Sequence, residues 1–130
     1  MLNLRYVFSL LECGHFCIRY VLKNDGKKVN RGYCRKLMSL GLVKRVLKEY
    51  YRRVDCYVVN DIFSVVDKGK FITLIKGRRD NLHYVVVVNV KGDYVYYYDP
   101  AYIGIRKSKV SRFVEKWSHY CCFYSDNGNC

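Results

Sequence analysis

The sequence predicts an α+β fold with helices first and an antiparallel sheet second, and three observations carry that prediction. Apolar residues recur at helical spacing through the first fifty residues: Phe16, Cys17, Tyr20 and Val21, then Val43, Val46, Leu47 and Tyr50. The period then shortens. His83 to Val90 is a nearly unbroken β-branched run, and Tyr94 to Tyr98 returns beside it after Lys91-Gly92-Asp93. A single Pro in 130 residues, with no repeat or linker, fits one domain.

The elements follow in order. Residues 1–11 are an irregular or extended lead-in. Residues 13–24 form a first helix, stopped by Asn24-Asp25-Gly26. A second short helix runs from Val29 to Gly41, with Leu37, Met38 and Leu40 apolar and Gly41 as its stop. Residues 42–53 form a third, whose exposed face carries Lys44, Arg45, Lys48, Arg52 and Arg53. Cys56 to Val59 is a short strand, and Asn60 caps a helical turn over 61–67. Phe71 to Ile75 is a strand, followed by a polar loop to Asn81. His83 to Val90 is a strand buried on both faces. Tyr94 to Tyr98 is its partner, ended by Asp99-Pro100, because Pro cannot continue a ladder. After Ser108, the residues Val110, Phe113, Val114 and Trp117 share one helical face, so Trp117 is read as core. His119 to Tyr124 is the last strand. Residues 1–124 are then one domain, and 125–130 a frayed tail.

Twenty-four basic residues against eleven acidic give a net charge of +13. Such an excess suits an acidic partner or simply makes a solvated basic surface. The basic residues are scattered over Lys44-Arg45, Arg52-Arg53, Arg78-Arg79 and Arg106-Lys107-Lys109. They form no single stripe with interleaved exposed aromatics, so no nucleic-acid partner is expected. Seven Cys at irregular spacing make a poor disulfide framework. Cys34 and Cys56 lie in apolar patterns and read as core. A reducing, cytoplasmic compartment follows. No run has the length of a transmembrane helix, and the first residues lack the order of a signal peptide. Glu12 before Cys13 excludes a lipoprotein site. Neither Cys13, His15 and Cys17 nor His119, Cys121 and Cys122 has metal-ligand spacing, so no metal or cofactor is expected. Strand alternation also places Cys121 and Cys122 on opposite faces.

Cys13 falls in the first turn of the first helix, where the helix dipole favours a thiolate. A thiolate needs a base and an orienting acid. His83 opens one strand of a hairpin and Asp99 closes the other. If the loop is 91–93, Val90 faces Tyr94 and Val85 faces Asp99. His83 is then the diagonal neighbour of Asp99 on one face, roughly 7–8 Å away by backbone. A two-residue loop places the pair on opposite faces. The carboxylate fixes the imidazole tautomer, and the other ring nitrogen can take the thiol proton. Each residue also has an ordinary structural reading: a core thiol, a satisfied His, an Asp before a turn.

The spacing Glu12-Cys13-Gly14-x-x-Cys17 before an apolar helix resembles the nucleophile motif of the bacteriocin-processing cysteine peptidases. These are the papain-like domains at the N-termini of ABC exporters, which cut leader peptides after a double glycine. His83-Tyr84-Val85-Val86-Val87 resembles the family's His strand. Asp99-Pro100-Ala101 with Gly104 resembles its Asp-Pro-Ala-x-Gly segment. Val110-Ser111-Arg112-Phe113 and Trp117-Ser118 resemble its closing helix, so the likeness spans nearly the whole chain. The resemblance implies a papain-like fold, with Cys13 as nucleophile, His83 as general base and acid, and Asp99 as orienting acid. It implies a leader or precursor peptide as substrate, coupled to export. The partner is an ABC exporter membrane domain in cis or in trans, which places the chain in the cytoplasm at the inner face of the cell membrane. The basic surface then suits acidic leader residues or nearby anionic lipid. One position departs. The family's oxyanion-donating Gln, six residues before the Cys, is Val7 here, and the chain contains no Gln. Losing one oxyanion donor costs about 10²–10³ in rate. The alternative reading is therefore a catalytically impaired domain that only binds leader or cargo peptide. A small basic nucleic-acid module ranks last, because it leaves His83 and Asp99 unexplained.

Overall fold

The structure, a computed structural model, describes residues 13–28, 40–77 and 82–126. The expected lead-in with Val7, most of the expected helix from Val29 to Gly41 with Cys34, and the tail beyond Asp126 lie outside the described residues.

Helix α1 (Cys13–Asn24) ends as the sequence suggests. Gly26 takes φ +67°. The backbone N–H of Gly26 donates to Lys23 O at 3.2 Å and that of Lys27 to Leu22 O at 2.8 Å, closing the helix in a Schellman motif. Helix α2 spans Leu40–Tyr50. Gly41, expected to stop a preceding helix, is instead its second residue. The first-turn N–H groups have no partner within the helix, so Gly is tolerated there, and the buried stripe Val43, Val46 and Leu47 sets the helix.

Six strands follow: β1 (Arg53–Val58), β2 (Phe71–Lys76), β3 (Leu82–Lys91), β4 (Tyr94–Tyr98), β5 (Ile105–Lys109) and β6 (Trp117–Ser125). They form one antiparallel sheet in the order β1-β6-β2-β3-β4-β5. A 3₁₀ helix (Ile62–Lys68) links β1 to β2, and helix α3 (Val110–Lys116) links β5 to β6. Asp61, not Asn60, caps the 3₁₀ helix, its Oδ1 accepting the Phe63 N–H at 3.0 Å.

The sheet carries apolar side chains on both faces. On one, Ile18, Leu22, Val43 and Leu47 from α1 and α2 pack with Ile72, Leu74, Tyr84, Val86 and Cys122. On the other, Ile62, Val65 and Phe113 pack with Phe71, Ile75, Val85, Val87, Val95, Tyr97 and Cys121. Cys121 and Cys122 thus face opposite sides, as strand alternation requires. Trp117 is core, as expected, but it opens β6 rather than closing α3, and its Nε1–H donates to Thr73 Oγ1 at 2.8 Å. Strand β5 has no counterpart in the sequence reading. Its residues alternate only between exposed and half-buried, so no apolar period marks it.

The β3–β4 register positions the candidate site. Lys91 pairs with Tyr94, so the turn is the two residues Gly92-Asp93, with Gly92 at φ +59°. The expected three-residue loop is therefore wrong. Between Val87 and Asn89, however, the ladder shifts by one residue in a β-bulge. Beyond it Val86 pairs with Tyr98, and that register, continued, brings Val85 opposite Asp99. The bulge restores what the shorter turn takes away, and His83 and Asp99 share a face.

Candidate active site

His83 is the second residue of β3 and pairs with Ile75 of β2. Asp99 follows the last residue of β4. Both are buried, at 7% and 3% exposure, and His83 Nε2 lies 3.1 Å from Asp99 Oδ2. An ionised carboxylate can only accept, so the shared proton belongs to Nε2. The other carboxylate oxygen, Oδ1, accepts the Ala101 N–H at 3.0 Å, while Asp99 O accepts the Tyr102 N–H at 3.0 Å. The Asp-Pro-Ala turn therefore aims the carboxylate at the ring. His83 Nδ1 is buried and has no hydrogen-bond partner among the described residues. A buried ring nitrogen without a partner is costly, and one with its tautomer fixed from the far side is a proton acceptor.

Cys13 opens α1, and Cys17, one turn on, is fully buried. The Cys13 side chain lies outside the described structure. Tyr20 of α1 stacks on Tyr98 with ring centroids 4.1 Å apart and planes 4° apart, fastening α1 against the strand that leads into Asp99. Of the three sequence-predicted site residues, the structure brings His83 and Asp99 into contact and starts a helix at Cys13.

The pair opens into a cleft of about 320 Å³ whose lining includes Ile75, Lys76, Tyr97, Tyr102, Arg106 and Lys116. Lys116 Nζ donates to Tyr97 OH at 3.4 Å. The sequence reading missed Tyr97, Arg106 and Lys116. The hairpin could have given Tyr97, two residues before Asp99 on the same face. Arg106 pairs with Tyr97 across β4–β5, and so was hidden with β5.

The remaining thiols differ sharply. Cys56 and Cys122 are direct cross-strand partners. A hydrogen bond from Cys122 lowers the Cys56 thiol below its ordinary range, helped by the charges of Lys44 and Lys48 against the effect of burial. The same bond and burial push Cys122 up. Burial raises Cys121 to about 12. Among the described residues no three or more His, Cys, Asp or Glu converge as a metal site, and no helix is long and apolar enough to cross a membrane.

The sequence profile of the peptidase C39 family matches residues 7–129. The chain belongs to the peptidase C39 family. Its fold is shared by solved C39 domains. The peptidase domain of Streptococcus ComA, a bifunctional ABC transporter involved in quorum sensing, superposes with a TM-score of 0.66 at 19% identity, over 96% of this chain and 94% of that one. A double-glycine-motif protease from an AMS/PCAT transporter, solved with its leader peptide, gives 0.65 at 24% identity, over 88% and 84%. The peptidase domain of Streptococcus mutans ComA gives 0.58 at 18%, over 96% and 95%. No curated protein matches the chain. In this C39 domain the helices-on-antiparallel-sheet architecture expected from the sequence is present. It is a cysteine-peptidase domain by family, and the solved transporter peptidase domains share its fold.

Proposed function

We propose that the chain is a cysteine endopeptidase that removes a double-glycine leader from a bacteriocin-like precursor, with Cys13 as nucleophile, His83 as base and acid, and Asp99 as orienting acid. The observation that carries this reading is the buried His83–Asp99 pair, with Nε2 committed to the carboxylate and Nδ1 without a partner among the described residues. Cys13 begins a helix, where the dipole favours a thiolate. His83 alternates with Val85 onto the α3 side of the sheet, whereas α1 packs on Tyr84 and Val86. The thiol must therefore meet Nδ1 past the open end of β3, where His83 sits near the strand start.

In the reaction, Nδ1 takes the thiol proton and the sulfur bonds to the carbonyl carbon of the scissile peptide. The C–N bond then breaks, and the leaving amine takes the proton from the imidazolium. Water adds to the thioester as Nδ1 accepts its proton, the C–S bond breaks, and the thiolate is restored. The first N–H groups of α1 have no acceptor within the helix and supply one oxyanion donor. Val7 supplies none, so turnover is slower by about 10²–10³ than with a side-chain donor in place. Small subsites next to the cut admit only Gly. Residues 1–124 act as one unit in the cytoplasm beside an exporter's membrane domain. The leader-bound transporter protease among the structural relatives supports a peptide substrate.

Incubation with a double-glycine leader peptide, followed by mass spectrometry, tests this. Wild type releases the leader and Cys13→Ala does not. Equal release by both, or none by wild type, sinks the enzyme reading. The second reading, a domain that only binds leader or cargo, is favoured by Val7. It predicts leader binding that survives Cys13→Ala and His83→Ala, with no product. Iodoacetamide labelling near neutral pH separates the two readings, provided that it is done in a Cys56→Ser background. The lowered Cys56 thiol is otherwise a competing target.

A further inference from the structure

A second cleft, of about 750 Å³, lies along β4, β5 and α3. Its lining includes Arg106, Lys107, Lys109, Arg112 and Lys116 against one carboxylate, Glu115. Among the described residues none of these five cations forms an ion pair; the pairs there are Lys27–Asp126, Arg53–Asp55 and His83–Asp99. Three rest on aromatic rings instead. Lys107 lies 4.1 Å from the centroid of Tyr94, Lys116 lies 5.6 Å from that of Tyr97, and Arg106 lies 3.8 Å from that of Tyr102. Cation–π contact holds a charge in place without neutralising it. The cleft is also continuous with the His83–Asp99 cleft, since Tyr97, Arg106 and Lys116 line both.

From this we infer that the β5–α3 cleft binds an acidic stretch of the substrate peptide and feeds the adjoining residues to His83. The inference rests on the peptidase reading for the peptide it names. Fixed, unneutralised cations that run into a nucleophilic site select a ligand with carboxylates near the reacting bond. An extended peptide fits the place. β5 ends the sheet, and a strand at a sheet edge offers N–H and C=O groups to an added strand. Single-stranded nucleic acid fits less well, because the Tyr94 and Tyr97 faces that bases would stack on are covered by lysines. A flat lipid surface does not reach into a concave cleft.

The test uses the full chain carrying Cys13→Ala, so that peptide stays intact. A fluorescent double-glycine peptide with several Glu beside the glycines is compared with its Gln counterpart by anisotropy, at low and physiological salt. The Glu peptide binds about tenfold tighter, and the preference shrinks with salt. The double reversal K109E/R112E removes the preference, and the neutral pair K109Q/R112Q reduces it. The equal charge change R45E/K48E, on exposed α2 positions, leaves it intact. Equal binding of the two peptides overturns the inference. So does a loss as large in R45E/K48E, which marks net charge alone. Tighter binding of single-stranded RNA or phosphatidylglycerol vesicles through Lys109 and Arg112 overturns it in favour of those partners. If wild type fails to cut a peptide that shows the full preference, the peptidase reading falls while the acidic-peptide cleft stands.

Discussion

Among the described residues each oxygen of the Asp99 carboxylate has one donor: His83 Nε2–H on Oδ2 and the Ala101 N–H on Oδ1. That division makes Asp99→Asn informative. An Asn side chain has one oxygen and one NH₂. If its oxygen stays on Nε2–H, the NH₂ meets the Ala101 N–H, donor against donor. If it flips, the NH₂ donates to Nε2, the imidazole proton moves to Nδ1, and Nδ1 can no longer take a proton from a thiol. The second arrangement keeps a bond to both Nε2 and the Ala101 N–H, where the first sets two donors against each other, so it prevails. Asp99→Asn is expected to fold normally and to lose about 10²–10⁴ in kcat, the usual range for a misplaced general base. Steady-state cleavage alongside far-UV circular dichroism checks this, and an activity within a few-fold of wild type rules out the orienting role.

At the scale of the element, the β3–β4 register at the start of β3 decides whether the pair exists at all. Deleting Val88 turns the two-against-one step into a regular ladder. It leaves Val86 paired with Tyr98 and Asn89 with Tyr96, so His83 still faces Asp99. Deleting Val85 instead moves His83 into the position of Tyr84, on the α1 face of the sheet. The Nε2 proton resonance of a His hydrogen-bonded to carboxylate is therefore expected to persist in the Val88 deletion and vanish from the Val85 deletion. Loss from both, or retention in both, refutes this account of the register. The same hairpin shows how far the sequence could be read. The β-branched run from His83 and the tyrosines up to Asp99 are visible in the residues, and they brought His83 and Asp99 to one face. The route was wrong, because a bulge within a uniform Val run leaves no mark in composition. Strand β5 was hidden for a related reason. Its Arg106, Lys107 and Lys109 pair by backbone, and Arg106 and Lys107 rest on tyrosine rings, so they carry no apolar period. The lining that depends on β5 was hidden with it. Gly41 misled because a glycine in a first helical turn looks the same as one past a last turn.

Across the whole molecule, charge is handled in two ways. Among the described residues the cations of the β5–α3 cleft form no ion pair, whereas beyond the end of α1 the groups are closed on one another. Tyr51 OH donates to Asp25 Oδ2 at 2.5 Å, Lys27 pairs with Asp126 at 2.9 Å, and Lys27 Nζ lies 4.8 Å from the centre of the Tyr51 ring. Burial, and then the bond to Asp25, raise the Tyr51 hydroxyl well above its ordinary range. Burial likewise raises Tyr124, and raises Tyr98 to about 12. A phenol whose folded pKa exceeds its unfolded value of about 10 holds its proton longer in the folded chain. Its contribution to stability is then complete below about pH 10 and is lost as pH rises through the folded value. The fold should accordingly resist alkali up to about pH 10 and weaken above it. Lysines deprotonate in the same range and relieve the repulsion of a +13 chain, so the raw curve mixes two opposing effects. Tyr51→Phe separates them. At neutral pH it costs about 1–3 kcal/mol for a lost bond to a charged acceptor. Above about pH 10 its stability falls less steeply than that of wild type, by about 1.4 kcal/mol per pH unit, the contribution of one proton. Urea unfolding of both chains from pH 8 to 12 measures the two slopes, and parallel curves throughout would remove Tyr51 as the group that limits alkaline stability.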